Sequence, residues 1–272
     1  MRRFIVFMFC CFTGLVPMSH ANGPRRVDSA PERWADGGSG GSPDFVRHVV
    51  PLFSKLGCNN RDCHGSFQGQ NGFRLSLFGF EPKEDLRELH ENDGDGIRID
   101  LKDPDASLVL FKPTHEDEHE GGERMKVGSW QYRMFRQWIV DGATHDATSK
   151  LQTTRLEVTP QEVILNRSDS NVALRITAYF SDGTVEDVTA LTVFSSNDDG
   201  IADVSERGEV TVTRTGDTAI IARYGGRVTS VQVLVPTEHS EPYPLTFPHN
   251  KVDEFIAAKL RKLNIHPSNL SG

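Results

Sequence analysis

The chain has little of what usually announces a biochemical activity. It has no excess of basic charge: 30 Lys and Arg stand against 38 Asp and Glu, a net charge of −8. That argues against a nucleic-acid partner, because phosphate binding needs a basic footprint. It has no glycine-rich phosphate cradle and no serine, histidine and aspartate in a spacing that by itself makes a nucleophile. Its longest apolar run falls short of the ~20 residues of a comfortable membrane span. Cysteine is scarce, with 4 in 272 residues, which excludes a disulfide-dense miniature scaffold. What remains is an ordinary apolar fraction, 37%, and a length sufficient for two domains with real cores.

The first 21 residues read as a secretory signal. Arg2 and Arg3 give the charged start, Phe4 to Val16 the short apolar stretch, and Ser19-His20-Ala21 the small residues a signal peptidase requires. An uncleaved membrane anchor is the plainer alternative. Neither Cys10 nor Cys11 has the small neighbours of a lipid-attachment site. The reading makes the protein exported, to the periplasm or cell envelope, and removes Cys10 and Cys11 with the signal. Cys58 and Cys63 then remain, in a compartment that tolerates a disulfide and in which c-type haem is attached.

Residues 22–43 include DGGSGGSPD and read as a flexible polar linker. From Asp44 a helical period begins. Phe45, Val49, Leu52, Phe53 and Leu56 share a face, Pro51 interrupts the helix or opens its second part, and Gly57 closes it. A second amphipathic helix starts at the cap Ser129, carries Trp130, Met134, Phe135, Trp138 and Ile139 as its stripe, and stops at Gly142. After residue 150 the pattern turns to strands. NVALRITAYF alternates, with Val172, Leu174, Ile176, Ala178 and Phe180 on one face, and SDGT follows as a turn. VTALTVFSS, GEVTVTR, TAIIARYGG and VTSVQVLVP continue the series, with Gly225-Gly226 suited to a tight hairpin. Such strands predict a cysteine-free sandwich over 153–236. The chain then returns to a helix capped by Asn250 and Asp253, with Val252, Phe255, Ile256, Leu260 and Leu263 as its apolar face.

Chemistry concentrates in KLGCNNRDCHGSF, Lys55 to Phe67. A c-type haem needs two thiols for its vinyl groups and an imidazole beneath the iron, usually as C-x-x-C-H. Here Asn59, Asn60, Arg61 and Asp62 separate Cys58 from Cys63-His64; two extra residues can bulge from such a turn, and all four are polar enough to sit in solvent. A Cys58–Cys63 disulfide is the simpler reading and gives His64 no task. Zinc would need a fourth ligand beyond the two thiolates and the imidazole.

Three stretches, LFSKLGCNNRDCHGSFQGQNGFRLSLFGFEP, HEGGERMKVGS and YRMFRQWIVDGA, together resemble the planctomycete-type cytochrome c-like domain, over roughly Phe45 to His145. LEVTPQEVIL and the strands after it resemble the bacterial immunoglobulin-like group 2 domain. KVDEFIAAKLRKLNIHPSNL resembles the opening of the uncharacterised domain that follows in these multidomain proteins. The resemblance implies a mainly α cytochrome c-like domain over 44–148, an all-β immunoglobulin-like sandwich over 153–236, and a helical stub of a third domain over 243–272. It implies one haem c, with Cys58 and Cys63 as thioether anchors and His64 as proximal iron ligand. For the sixth position Met125, in the loop before the last helix, competes with His119, in the HEGGER loop, and with a site left open. The function implied is single-electron transfer with a redox partner that the sequence does not name, the sandwich serving as a spacer or binding a cell-surface polymer or protein. No catalytic constellation is visible. A haem-free adhesion or scaffold protein, with Cys58 and Cys63 oxidised together, is the competing expectation.

Two other motifs are weaker. HEDEH, His115 to His119, matches the zinc-protease pattern but has no apolar residue inside it and reads as an acidic loop. NDGDGIRID hints at a calcium loop through Asp93, Asp95 and Gly96, but Lys102 stands where the closing glutamate belongs.

Overall fold

The computed structural model describes residues 23–91, 96–117, 119–145, 151–166, 171–244 and 248–268. The expected signal segment and Asp93 and Asp95 of the calcium-like stretch lie outside the described residues. The architecture is mixed: a helical N-terminal region, several small β-sheets, and a C-terminal helix.

The helical region is built from short pieces. A π-helical turn, Phe45–Val49, runs directly into α2, Val50–Lys55, with Pro51 in the first turn of α2. Proline has no N–H to continue the ladder, and the Arg47 carbonyl four residues before it accepts from the Tyr224 hydroxyl instead. Asp44 caps the start by accepting the Arg47 N–H at 2.7 Å. α3, Pro82–His90, and the four-residue α4, Leu108–Phe111, cross the loops that follow. α5, Trp130–Val140, has Ser129 as its cap, accepting from the Tyr132 N–H at 3.3 Å. Met134, Phe135, Trp138 and Ile139 of the predicted stripe are buried, and Phe45 stacks on Trp138 at 5.2 Å between ring centres. The helical period was therefore informative at both ends of this region.

Residues 25–34 correct the expectation of a linker over 22–43. β1, Arg25–Val27, pairs in parallel with a strand at 184–187, and α1, Ala30–Arg33, buries Ala30 and the adjoining Trp34. A capping box explains the local start: Glu32 accepts from both the N–H and the hydroxyl of Ser29. The glycine-rich stretch after Trp34 is irregular.

Ten further strands make three sheets: β2 Thr153–Thr159, β3 Glu162–Ile164, β4 Val172–Ala173, β5 Arg175–Phe180, β6 Thr184–Asp187, β7 Val193–Ser196, β8 Ala202–Val204, β9 Glu209–Val212, β10 Gly216–Tyr224 and β11 Arg227–Val235. Their orders are β1-β6-β5-β2, β3-β11-β10-β7 and β4-β9-β8. All pairs are antiparallel except β1 with β6 and β3 with β11. Gly225 and Gly226 make the β10–β11 hairpin with φ of 54° and 73°, the left-handed pair such a two-residue turn requires. Phe180 of the first sheet meets Tyr224 of the second edge-on at 6.5 Å, so the sheets share an apolar interior.

The single strand expected over 171–180 divides at Leu174. Its first part pairs with β9 and its second with β2 and β6. The inward face is kept, because Leu174, Ile176, Ala178 and Phe180 are all buried. A period-2 pattern fixes which face is apolar but not which neighbour supplies the ladder.

α6, Lys251–Lys262, is capped by Asn250, which accepts the Asp253 N–H at 3.0 Å, while Asp253 accepts from His249 rather than from Asn250. The helix joins the sheets by charge, through Lys259 to Asp217 and Lys262 to Glu162. Val252, Phe255 and Ile256 are exposed, and Leu263, just past its end, is buried.

A buried charged contact joins the helical region to the sheets. Arg47 Nε donates to Glu186 Oε2 at 2.7 Å, and its Nη1 donates to Thr184 at 3.0 Å. The guanidinium lies over the Phe180 ring at 3.8 Å, and the Tyr224 hydroxyl donates to the Arg47 carbonyl at 2.6 Å. His48 Nδ1 accepts the Asp44 N–H, which fixes its proton on Nε2, facing Glu186 Oε2 at 3.4 Å. Burial holds the His48 pKa below the ordinary value, Glu186 only partly opposing it. Burial alone would raise Glu186, but His48 and Arg47 outweigh it and hold the carboxyl below its ordinary value. Further along, Lys55 donates to the Thr192 carbonyl at 2.7 Å and to the Glu206 carbonyl. The two cations thus seat the π-helical turn and α2 on the sheets, and α2 leads straight into the Cys/His loop.

Candidate functional site

The loop is anchored at its entry by the end of α2. Gly57 has φ of 80°, and the Cys58 N–H reaches back to the Phe53 carbonyl at 2.9 Å, closing the helix in a Schellman-type cap. The spacer then folds on itself. The Asn60 carbonyl accepts from Cys63 and Gly65, each at 3.0 Å, and the Cys58 carbonyl accepts the His64 N–H at 2.9 Å. Gly65 is dictated by space, since a Cβ there would lie 2.1 Å from the Asn59 carbonyl oxygen.

One expectation about the spacer needs correction. Asn60, Arg61 and Asp62 are exposed, but Asn59 is buried rather than solvated. Its amide donates to Ser54 Oγ at 2.9 Å, and its carbonyl accepts the Phe78 N–H at 3.2 Å. Asn59 therefore ties the loop both to α2 and to the segment that follows it.

Cys58 and Cys63 are both free thiols and half-buried. Burial, with the neighbouring Cys63 second, pushes the Cys58 thiol up to about 12. It is therefore a neutral thiol near pH 7, not a thiolate poised for exchange or for a metal ion. The His64 ring is held from behind: Nδ1 lies 3.1 Å from the Phe73 carbonyl, and the Phe73 ring is 4.6 Å away. A neutral imidazole donates through Nδ1 to that carbonyl and keeps the Nε2 lone pair available, the arrangement of an imidazole prepared for a metal. Burial lowers the His64 pKa, with the backbone of Phe73 and of Gln70 opposing it and His119 and Arg98 adding to it. Arg98, itself buried, lies over the Phe73 ring at 4.8 Å and donates to the carbonyls of Gly72, Glu88 and Glu91.

The other sequence candidates fall into place differently. His119 lies in a turn in which Gly122 N–H donates to the His119 carbonyl at 2.7 Å and His119 Nδ1 lies 3.0 Å from the Gly122 carbonyl. Its ring is near-parallel to that of His64, at 10°, with the centres 6.4 Å apart. Met125 is 4% exposed and packs in the apolar interior. His115 stacks on Phe111 at 4.1 Å on an exposed loop, and the residues described between 115 and 119 are not helical. Among the described residues no three His, Cys, Asp or Glu side chains converge as a metal-ion site.

Sequence reasoning did not find Phe73, Arg98 or Asn59, whose contributions come from packing across separate loops. An apolar surface beside the motif was missed too. Leu75 donates to the His64 carbonyl at 2.8 Å, so the segment after it adjoins the loop. In and near that segment Phe67, Leu77, Phe78 and Phe80 are exposed. Phe78 has φ of 55°, rare for a bulky side chain, and Gly79 beside it packs against Val50 so closely that a Cβ would overlap that side chain.

No family model matches the chain, and no curated protein does. Among solved structures, the S-layer protein SbsC, domains 5-6, aligns over 31% of this chain and 44% of that one, at 19% identity and a TM-score of 0.27. The alignment thus spans less than half of that chain, and a likeness this slight carries no argument about fold or function.

Proposed function

We propose that the protein is an exported c-type cytochrome module. In this reading residues 44–148 form a cytochrome c-like domain, the strands over 153–236 form an immunoglobulin-like sandwich, and one haem c is bonded through Cys58 and Cys63 above His64. The reading rests on one observation: two free thiols and an imidazole occupy a single self-bonded turn, with the imidazole backed through Nδ1 by the Phe73 carbonyl. The residues suit the group. Cys58 is neutral and half-buried beside Cys63, as thioether formation to a vinyl group wants, and the exposed aromatic side chains next to the turn offer an apolar lining. The haem supplies one-electron chemistry at its iron.

The chain's own part is positional. Asn59, Gly65 and the α2 cap shape the turn; Phe73 orients the imidazole; Arg47 and Lys55 hold α2 against the sheets. The periplasm or cell envelope is the compartment this reading requires. An unidentified redox protein would be the electron partner, and the sandwich a spacer or a contact for a surface polymer or protein.

The test is co-expression of the full chain with a c-type maturation system, followed by haem peroxidase staining of the denatured band. Staining that persists after denaturation, and vanishes in Cys58→Ser/Cys63→Ser, is the expected result. A colourless protein would favour the haem-free scaffold with a Cys58–Cys63 disulfide.

A further inference from the structure

We infer that His119 supplies the second axial ligand, so that one haem iron is held between the imidazoles of His64 and His119. The inference rests on the haem reading above and goes beyond it, because the sequence did not decide between His119, Met125 and an open sixth site.

The first observation is the ring geometry. Two imidazoles binding one metal at about 2 Å, with each ring centre about 1.2 Å behind its nitrogen, space their centres about 6 Å apart. His64 and His119 stand at 6.4 Å with their planes 10° apart. The other near-parallel histidine pair, His239 and His266, is in contact at 4.2 Å. The wider pair leaves room for an atom.

The second observation is that both rings are anchored in the same way. Each Nδ1 lies within hydrogen-bond distance of a backbone carbonyl, that of Phe73 for His64 and that of Gly122 for His119. Donation through Nδ1 fixes the tautomer that leaves Nε2 free, and such a backing partner is what ligating histidines ordinarily have.

The third is the turn itself. Gly121 faces the ring so closely that a Cβ would lie 2.7 Å from His119 Cε1, and Gly122 has φ of 72°. The two glycines of HEGGER therefore let the backbone wrap the imidazole. Met125, six residues on, is 4% exposed and spends its thioether on the apolar interior. A closed imidazole pair suits electron transfer and leaves no open position for an exogenous ligand.

The experiment uses the full chain matured with haem, read by visible absorption and electron paramagnetic resonance, with carbon monoxide added to the reduced protein. The wild type is expected to be low-spin, to lack a sulfur–iron charge-transfer band, and to resist carbon monoxide. His119→Ala should become high-spin and bind carbon monoxide, and added imidazole should restore the low-spin spectrum, which also shows that the variant is folded. Gly121→Ala, which keeps the imidazole but displaces its ring, should give a mixture of spin states. Met125→Leu should leave the spectrum unchanged. A haem-stained His119→Ala protein that stays low-spin, or a sulfur–iron band in the wild type that Met125→Leu abolishes, overturns this inference while the haem reading stands. A wild-type chain without covalent haem overturns both.

Discussion

The helical region and the sheets bury their apolar residues in different ways. The sheets close on themselves: alternate residues of β5, β10 and β11 fill a common interior, and among the described residues of 151–235 only Ile164 and Val228 are large hydrophobics left exposed. The helical region is made of short helices and loops, and it leaves Phe67, Leu77, Phe78 and Phe80 uncovered near the Cys/His turn. Three of the positive-φ non-glycine residues, Asn71, Phe78 and Ala143, lie in it, and none lies in the strands. The strained Phe78 and the exposed apolar side chains adjoin the Cys/His turn. On the haem reading, the sheets are a support and the helical region is the part that would hold the ligand.

The largest effect is expected at the junction. Glu186→Ala leaves Arg47 buried without its carboxylate and should destabilise the protein by about 3–5 kcal/mol in denaturant unfolding. The replacement Arg47→Met with Glu186→Leu should recover most of the loss, because Arg47 Nη2 and Glu186 Oε1 lack hydrogen-bond partners even in the native pair. If the single change costs under about 1 kcal/mol, the two regions are not seated by this contact.

Acid gives the next effect, and its sign follows from the same cluster. His48 is held neutral in the folded state, so below about pH 6.5 the unfolded chain binds a proton that the native chain refuses. Stability therefore falls as the pH drops through that value. Glu186 is held below its ordinary value, so its contribution is present above about pH 4.5 and is lost as acid approaches its folded value. Unfolding midpoints measured from pH 8 down to about pH 3 should decline in both windows, and His48→Gln should flatten the upper one. A flat upper window in the wild type would contradict the buried neutral histidine.

The smallest effect belongs to α6. The Glu162–Lys262 pair is substantially solvated, so Glu162→Gln should cost no more than about 1 kcal/mol, and less at high salt. A larger cost would mean that α6 belongs to the sheet core, contrary to its exposed Val252, Phe255 and Ile256.

The sequence made the sheets legible because their signal is local. Alternation in 172–180 gave the buried face, and Gly225-Gly226 gave the hairpin. It did not give the partner strands, so the division at Leu174 and the parallel addition of β1 came only from the structure. Composition misled over 25–34: polar residues near a glycine-rich tract looked like linker, although Ala30 and Trp34 find cover on other elements. At the candidate site the Cys58, Cys63 and His64 triplet was evident from spacing. The role of Asn59 was not, since its burial depends on Ser54 and Phe78. The pairing of His64 with His119 spans 55 positions of chain, and no local pattern reports a contact of that separation.

Mass spectrometry of the chain matured with haem, followed by peptide mapping of Cys58 to His64, tests the central claim most directly. The account predicts a mass increased by one haem, carried on the peptide that contains both cysteines. An unmodified mass, or one lower by two hydrogens and mapped to a Cys58–Cys63 bond, would contradict it.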